Sequence, residues 1–150
     1  MEKMKMMLVD DEERYLKTTS KLIQKRGVEV LTASSGKDAL EILQRNLVHV
    51  VILDVKMPDM DGNETLQEIK KRFPLVEVIM LTGHATVDSA IDGLKAGAFD
   101  YLMKPADIDE IMEKSINAFE KLQKHEEKIR VAQAKKYMRS PREILKEDIE

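Results

Sequence analysis

At 150 residues the chain has length for one domain of ordinary size plus an appendage, enough to bury a real core. Its 25 Lys and Arg against 28 Asp and Glu leave a net charge of -3, which gives no electrostatic case for direct nucleic-acid or anionic-membrane binding and points to protein partners. Cysteine is absent, excluding disulfides and thiolate chemistry, and no apolar stretch approaches the roughly 20 residues a bilayer crossing needs, so a cytoplasmic protein is the expectation.

In chain order, strand-like runs fall at residues 5–9, 28–33, 48–53, 76–81 and 100–103. They are rich in Val, Ile, Leu and Met and mostly continuous, as strands buried on both faces are. Helical segments are expected over 12–26, 37–45, 63–72, 86–96 and from 107 onward. Gly27 and Gly97 follow helices, Pro74 ends the third, and Gly62 is read as a loop residue. Strands separated by helices imply right-handed crossovers and a parallel α/β sheet covered on both sides. In a flavodoxin-like doubly wound sheet of order 2-1-3-4-5, the ligand crevice opens at the carboxyl ends of strands one and three, where the winding reverses.

Those strand ends carry acids. Asp10-Asp11 follow Met6-Met7-Leu8-Val9, and Asp54 closes His49-Val50-Val51-Ile52-Leu53. Later runs end in Thr82 and in Lys104-Pro105. Crowded carboxylates repel one another, and a hard cation such as Mg²⁺ makes the arrangement tolerable by taking oxygens from several of them. Asp10 and Asp11 would hold the metal, while Asp54 would be a ligand through one oxygen and a nucleophile through the other. Lys104 would neutralise phosphoryl charge, and the Thr82 hydroxyl would donate to a phosphoryl oxygen. Taken singly, each residue has an ordinary explanation. An Asp pair after a strand often caps a helix, Thr favours strand ends, and a Lys before Pro is usually a solvated turn residue. Their joint occurrence in order argues otherwise.

With these residues in view, the chain resembles the receiver domain of bacterial two-component response regulators. The motifs are Asp10-Asp11, Asp54-Val55-Lys56-Met57-Pro58-Asp59-Met60-Asp61-Gly62, Leu81-Thr82-Gly83-His84 and Tyr101-Leu102-Met103-Lys104-Pro105. The resemblance implies that Asp54 is the phosphoacceptor, that Asp10, Asp11, Asp54 and the Lys56 backbone carbonyl bind Mg²⁺, and that Thr82 and Lys104 contact the phosphoryl group. Tyr101 is similar to the aromatic residue that turns inward after phosphorylation. Lys56 and His84 occupy positions that tune the lifetime of the phosphoryl group, and Lys104-Pro105 is expected to be cis. Implied partners are a sensor histidine kinase or histidine phosphotransfer protein, and a protein target docking on helix four, strand five and helix five, with room for a homodimer. Met57 and Met60 are candidates for a docking surface beside the site.

The receiver is expected to occupy residues 1–120 and a helical extension residues 121–150. Helix five would bury Ile108, Ile111, Met112, Ile116, Phe119 and Leu122, with a weaker series through Ile129 and Ala132 carrying it beyond the domain. Ser140-Pro141-Arg142-Glu143 forms a capping box for a short helix over 141–149. The motifs look most like receivers preceding sigma-54-dependent activators, but the remaining chain is too short for an activator domain, so a stand-alone, non-enzymatic phosphoacceptor is expected. The alternatives are the receiver portion of a longer DNA-binding regulator, or a phosphatase of haloacid dehalogenase type. The latter needs a second Asp two residues after its nucleophile, and with Asp10 in that role the position holds Glu12.

Overall fold

The computed structural model describes residues 2–83 and 87–137. His84, the start of the predicted fourth helix and the predicted helix over 141–149 lie outside the described residues. The elements run β1 (Lys5–Val9), α1 (Glu13–Lys25), β2 (Glu29–Ala33), α2 (Gly36–Arg45), β3 (Val50–Leu53), α3 (Gly62–Arg72), β4 (Glu77–Thr82), α4 (Val87–Lys95), β5 (Asp100–Met103) and α5 (Ile108–Tyr137). The five strands form one parallel sheet in the order β2-β1-β3-β4-β5.

The continuous apolar runs are explained by which face each residue serves. Met7, Val9, Val51, Leu53, Val78 and Met80 point into a core shared with Ala39, Leu40 and Leu43 of α2 and Leu66 and Ile69 of α3. Their strand neighbours Met6, Leu8, Val50, Ile52, Ile79 and Leu81 point into a second core with Leu16 and Ile23 of α1 and Ile111, Met112 and Ala118 of α5. Alternate residues thus feed opposite faces, and with helices on both sides every position must be apolar. Among the described residues six methionines are buried, Met57 among them at 8 % exposure, where it packs into the first core. Met60 packs against the same core.

Local signals set the element ends. Ser35 caps α2 by accepting from the Asp38 backbone N–H, and Asp61 caps α3 by accepting from that of Glu64. Replacing Ser35 with alanine is expected to cost about 1 kcal/mol, read as a lower urea midpoint at unchanged slope. Gly62 departs from the expectation: it is the first residue of α3, and its N–H donates to the Val55 carbonyl at 2.7 Å.

α5 also differs from the predicted pattern. Its buried face is Ile111, Met112, Ser115, Ala118 and Leu122, whereas Ile116 is exposed. Ile116 stands about 100° round the helix from Ser115, off the stripe that touches the sheet. The helix continues to Tyr137, and beyond Leu122 every described residue is exposed or half-buried, Ile129 and Ala132 included.

Candidate phosphoryl and metal site

The hydrogen-bond ladder of the sheet runs one residue past three strands and so fixes the backbone of the residues that follow. The Asp10 N–H donates to the Ala33 carbonyl at 3.1 Å, that of Asp54 to Val9 at 3.0 Å, and that of Lys104 to Thr82 at 2.9 Å. The reversal of winding occurs at β1 and β3, so two acids emerge side by side there. Asp10, Asp11 and Asp54 each offer a carboxylate oxygen, all within 4.8 Å of one another. Asp10 and Asp54 are buried, whereas Asp11 is exposed.

Neither member of the Asp10-Asp11 pair is the N-cap of α1. That residue is Glu12, whose side chain makes no capping bond; its backbone N–H instead donates to Asp10 Oδ1 at 2.9 Å. The other Asp10 oxygen accepts from Lys104 Nζ at 2.6 Å. Lys104 Nζ also lies 3.7 Å from Glu12 and 3.9 Å from Asp54. Burial raises the Asp10 carboxyl above its ordinary range, and the Asp54 charge adds to this against the opposing bonds from Lys104 and Glu12. Burial pulls the other way on Lys104, but Asp10, Asp54 and Glu12 outweigh it and hold the ammonium above the usual lysine value. Lys104 therefore stays charged at neutral pH.

One ammonium against three converging carboxylates leaves an excess of two negative charges, and Glu12 adds a third nearby. The three acids supply hard oxygen donors at a spacing a single small cation can bridge, so the residues present fit Mg²⁺. Beside Asp11 a cleft of about 430 Å³ is lined also by Val55, Lys56, Met57, Pro58 and Asp61. Lys56 is exposed at this rim. A larger groove of about 630 Å³ lies at the other end of the sheet, lined by lysines including Lys70, Lys121 and Lys124. Its buried acid, Glu77, already faces Lys121 at 3.6 Å, and no group of three potential metal ligands occurs there among the described residues.

Thr82 ends β4, fully buried and in register with Met103 of β5. Tyr101 is half-buried on β5, its hydroxyl 3.4 Å from Ser89 Oγ on α4 and its ring against Gly93. The Lys104-Pro105 peptide is cis. Two neighbours of the site escaped the sequence reading. Glu12 entered it only as a misplaced phosphatase acid. Tyr15, in the first turn of α1, has its ring centroid 4.1 Å from Lys104 Nζ; the two lie far apart in sequence, so no local spacing pairs them.

Fold and site together define a doubly wound α/β domain whose crevice gathers three acids and a lysine at one edge of the sheet. The chain belongs to the response regulator receiver domain family, whose model matches residues 6–116, and is thus a signalling domain of two-component systems. It is 37% identical over 110 residues to the transcriptional regulatory protein ZraR of Klebsiella oxytoca, covering 73% of this chain and 25% of that protein. It is 35% identical over 119 residues to the DNA-binding transcriptional regulator NtrC of Escherichia coli (strain K12), covering 77% and 25%. The chain thus spans about a quarter of the length of these curated relatives. A receiver domain protein from Clostridium thermocellum superposes with a TM-score of 0.76 at 41% identity, over 80% of this chain and 97% of that one. A CheY-like receiver from Methanospirillum hungatei JF-1 gives 0.79 at 29% identity, over 83% and 99%.

Proposed function

We propose that Asp54 accepts a phosphoryl group from a phosphohistidine on a sensor histidine kinase or histidine phosphotransfer protein, in a Mg²⁺-dependent reaction, and that the phosphorylated domain signals by changing shape. The observation that carries this reading is the convergence of Asp10, Asp11 and Asp54 with Lys104 bridging the buried pair. An Asp54 carboxylate oxygen attacks phosphorus as the bond to the donor nitrogen breaks; with the donor's other ring nitrogen protonated, this leaves an acyl phosphate on Asp54 and a neutral imidazole on the donor. Lys104 pairs with the phosphoryl oxygens, and the Thr82 hydroxyl donates to one of them. Asp10, Asp11, Asp54 and the Lys56 carbonyl would hold Mg²⁺, which when bound spreads the negative charge of the transferring group. Lys56 and His84 set how readily water reaches the product.

The charge added at Asp54 draws Thr82 inward, and Tyr101 then moves into the space vacated beneath α4. Its bond to Ser89 is the contact that must rearrange. The readout is the surface of α4, β5 and α5, where Ile91, Leu94 and Met103 are exposed; a target protein or a second copy docks there. Beryllofluoride with Mg²⁺ is expected to shift amide resonances from residue 82 to residue 106. A spectrum unchanged across that stretch would sink the switch.

Among the described residues no helix is long and apolar enough to cross a membrane, and this reading places the chain in the cytoplasm with its kinase. One form of the proposal is a stand-alone regulator. The second is the receiver portion of a longer transcription regulator, favoured by the greater length of the transcriptional regulators ZraR and NtrC. A stop codon directly after the codon for Glu150 excludes the second; an open frame running into further domains excludes the first.

A further inference from the structure

Among the described residues, Lys104 Nζ has four close neighbours, and one of them is not an acid. Besides Asp10 at 2.6 Å, Glu12 at 3.7 Å and Asp54 at 3.9 Å, the Tyr15 ring centroid lies 4.1 Å away. Tyr15 sits in the first turn of α1, half-buried and packed against the second core. Burial pushes the Tyr15 phenol up, so it stays neutral and its ring face remains an attractive surface for a cation.

We propose that Tyr15 is a positioning residue for the phosphoryl chemistry: its ring face holds the Lys104 ammonium between Asp10 and Asp54, where a phosphoryl oxygen arrives. This rests on the phosphoacceptor reading of Asp54. A lysine side chain is a flexible stem with a compact charge at its end, and one short bond to Asp10 would commit that charge to the wrong acid. A ring face attracts the ammonium without demanding a particular N–H direction. The ammonium can therefore pivot from Asp10 toward a phosphoryl oxygen while remaining against Tyr15. Packing against the second core keeps the ring from swinging away. A side chain that only filled space beside the second core would be replaceable by leucine; one that acts through its ring would not.

The test compares Tyr15→Leu and Tyr15→Phe with the native chain, each first checked for a native amide spectrum, with Tyr15→Met substituted if leucine prevents folding. Two quantities are read: the rate and KM of Asp54 phosphorylation by acetyl phosphate with Mg²⁺, and the proton shifts of Lys104 Cε in Mg²⁺-free protein. Phosphorylation is expected to slow about 3- to 10-fold in Tyr15→Leu, the scale of one partly desolvated cation–π contact, and to stay within about twofold of native in Tyr15→Phe. The Cε protons should lie upfield in the native and Phe chains and relax toward ordinary lysine values with Leu. A leucine variant as fast as native overturns the proposal. So does a phenylalanine variant as slow as leucine, which would move the effect from the ring to the hydroxyl, and so do Cε lines that ignore the ring. A native chain that takes no phosphoryl group while its Cε lines lie upfield would overturn the phosphoacceptor reading and leave Tyr15 holding Lys104 for some other use.

Discussion

Asp54→Ala is expected to take up no phosphoryl group from acetyl phosphate and Mg²⁺, where the native chain gains a single adduct in intact mass. Neither neighbouring acid can substitute. Asp10 is engaged on both oxygens, by Lys104 and by the Glu12 backbone. Asp11 is exposed and solvated. The same replacement should act on stability with the opposite sign. In Mg²⁺-free buffer three carboxylates share one lysine, so removing one relieves repulsion and is expected to stabilise the fold by about 1 kcal/mol. At a hundredfold excess over Kd, Mg²⁺ should stabilise the native chain by about 2.7 kcal/mol, and most of that gain should vanish in the variant. Thermal unfolding with and without Mg²⁺ checks both signs. An adduct that survives in Asp54→Ala moves the nucleophile elsewhere, and equal Mg²⁺ stabilisation of the two chains removes Asp54 from the metal site.

Gly62→Ala is the second large effect, and it is expected to cost about 3 kcal/mol, the upper end of what overpacking usually costs. A Cβ there would lie 2.2 Å from the Asp54 carbonyl oxygen and 2.6 Å from Val55 Cα. Both are backbone atoms, so no side-chain rotation relieves the clash. The loop between β3 and α3, which already holds Asp59 at φ 70°, must shift, breaking the bond from the Gly62 N–H to the Val55 carbonyl. Because the displaced backbone belongs to Asp54, phosphorylation should fall together with the urea midpoint. A variant of native stability with native phosphorylation would show that the loop yields freely.

The strands, their parallel direction and the acids at their ends were legible in sequence because they follow from local patterns, while the order of the strands came with the family resemblance. Continuous apolar runs mark strands covered on both faces, intervening helices require crossovers, and the winding reversal locates the crevice. Asp10, Asp11 and Asp54 could be paired across 44 residues because each follows such a run. Contacts whose geometry depends on packing were not legible. Gly62 reads as a loop glycine until the α3 backbone is seen pressed against that of Asp54. Ile116 fits a generous helical stripe, and the sheet surface alone selects Ser115 and Ala118 in its place. Tyr15 reads as an ordinary core aromatic in its own segment; it meets Lys104 only because α1 and the end of β5 converge from positions 89 residues apart. Sequence by itself determined the strands, the helices and which acids stand at the strand ends, since these rest on periodicity and residue type. Tertiary structure decided which neighbours crowd, cap and orient that cluster, since close approach between distant segments is a property of packing that no local pattern records.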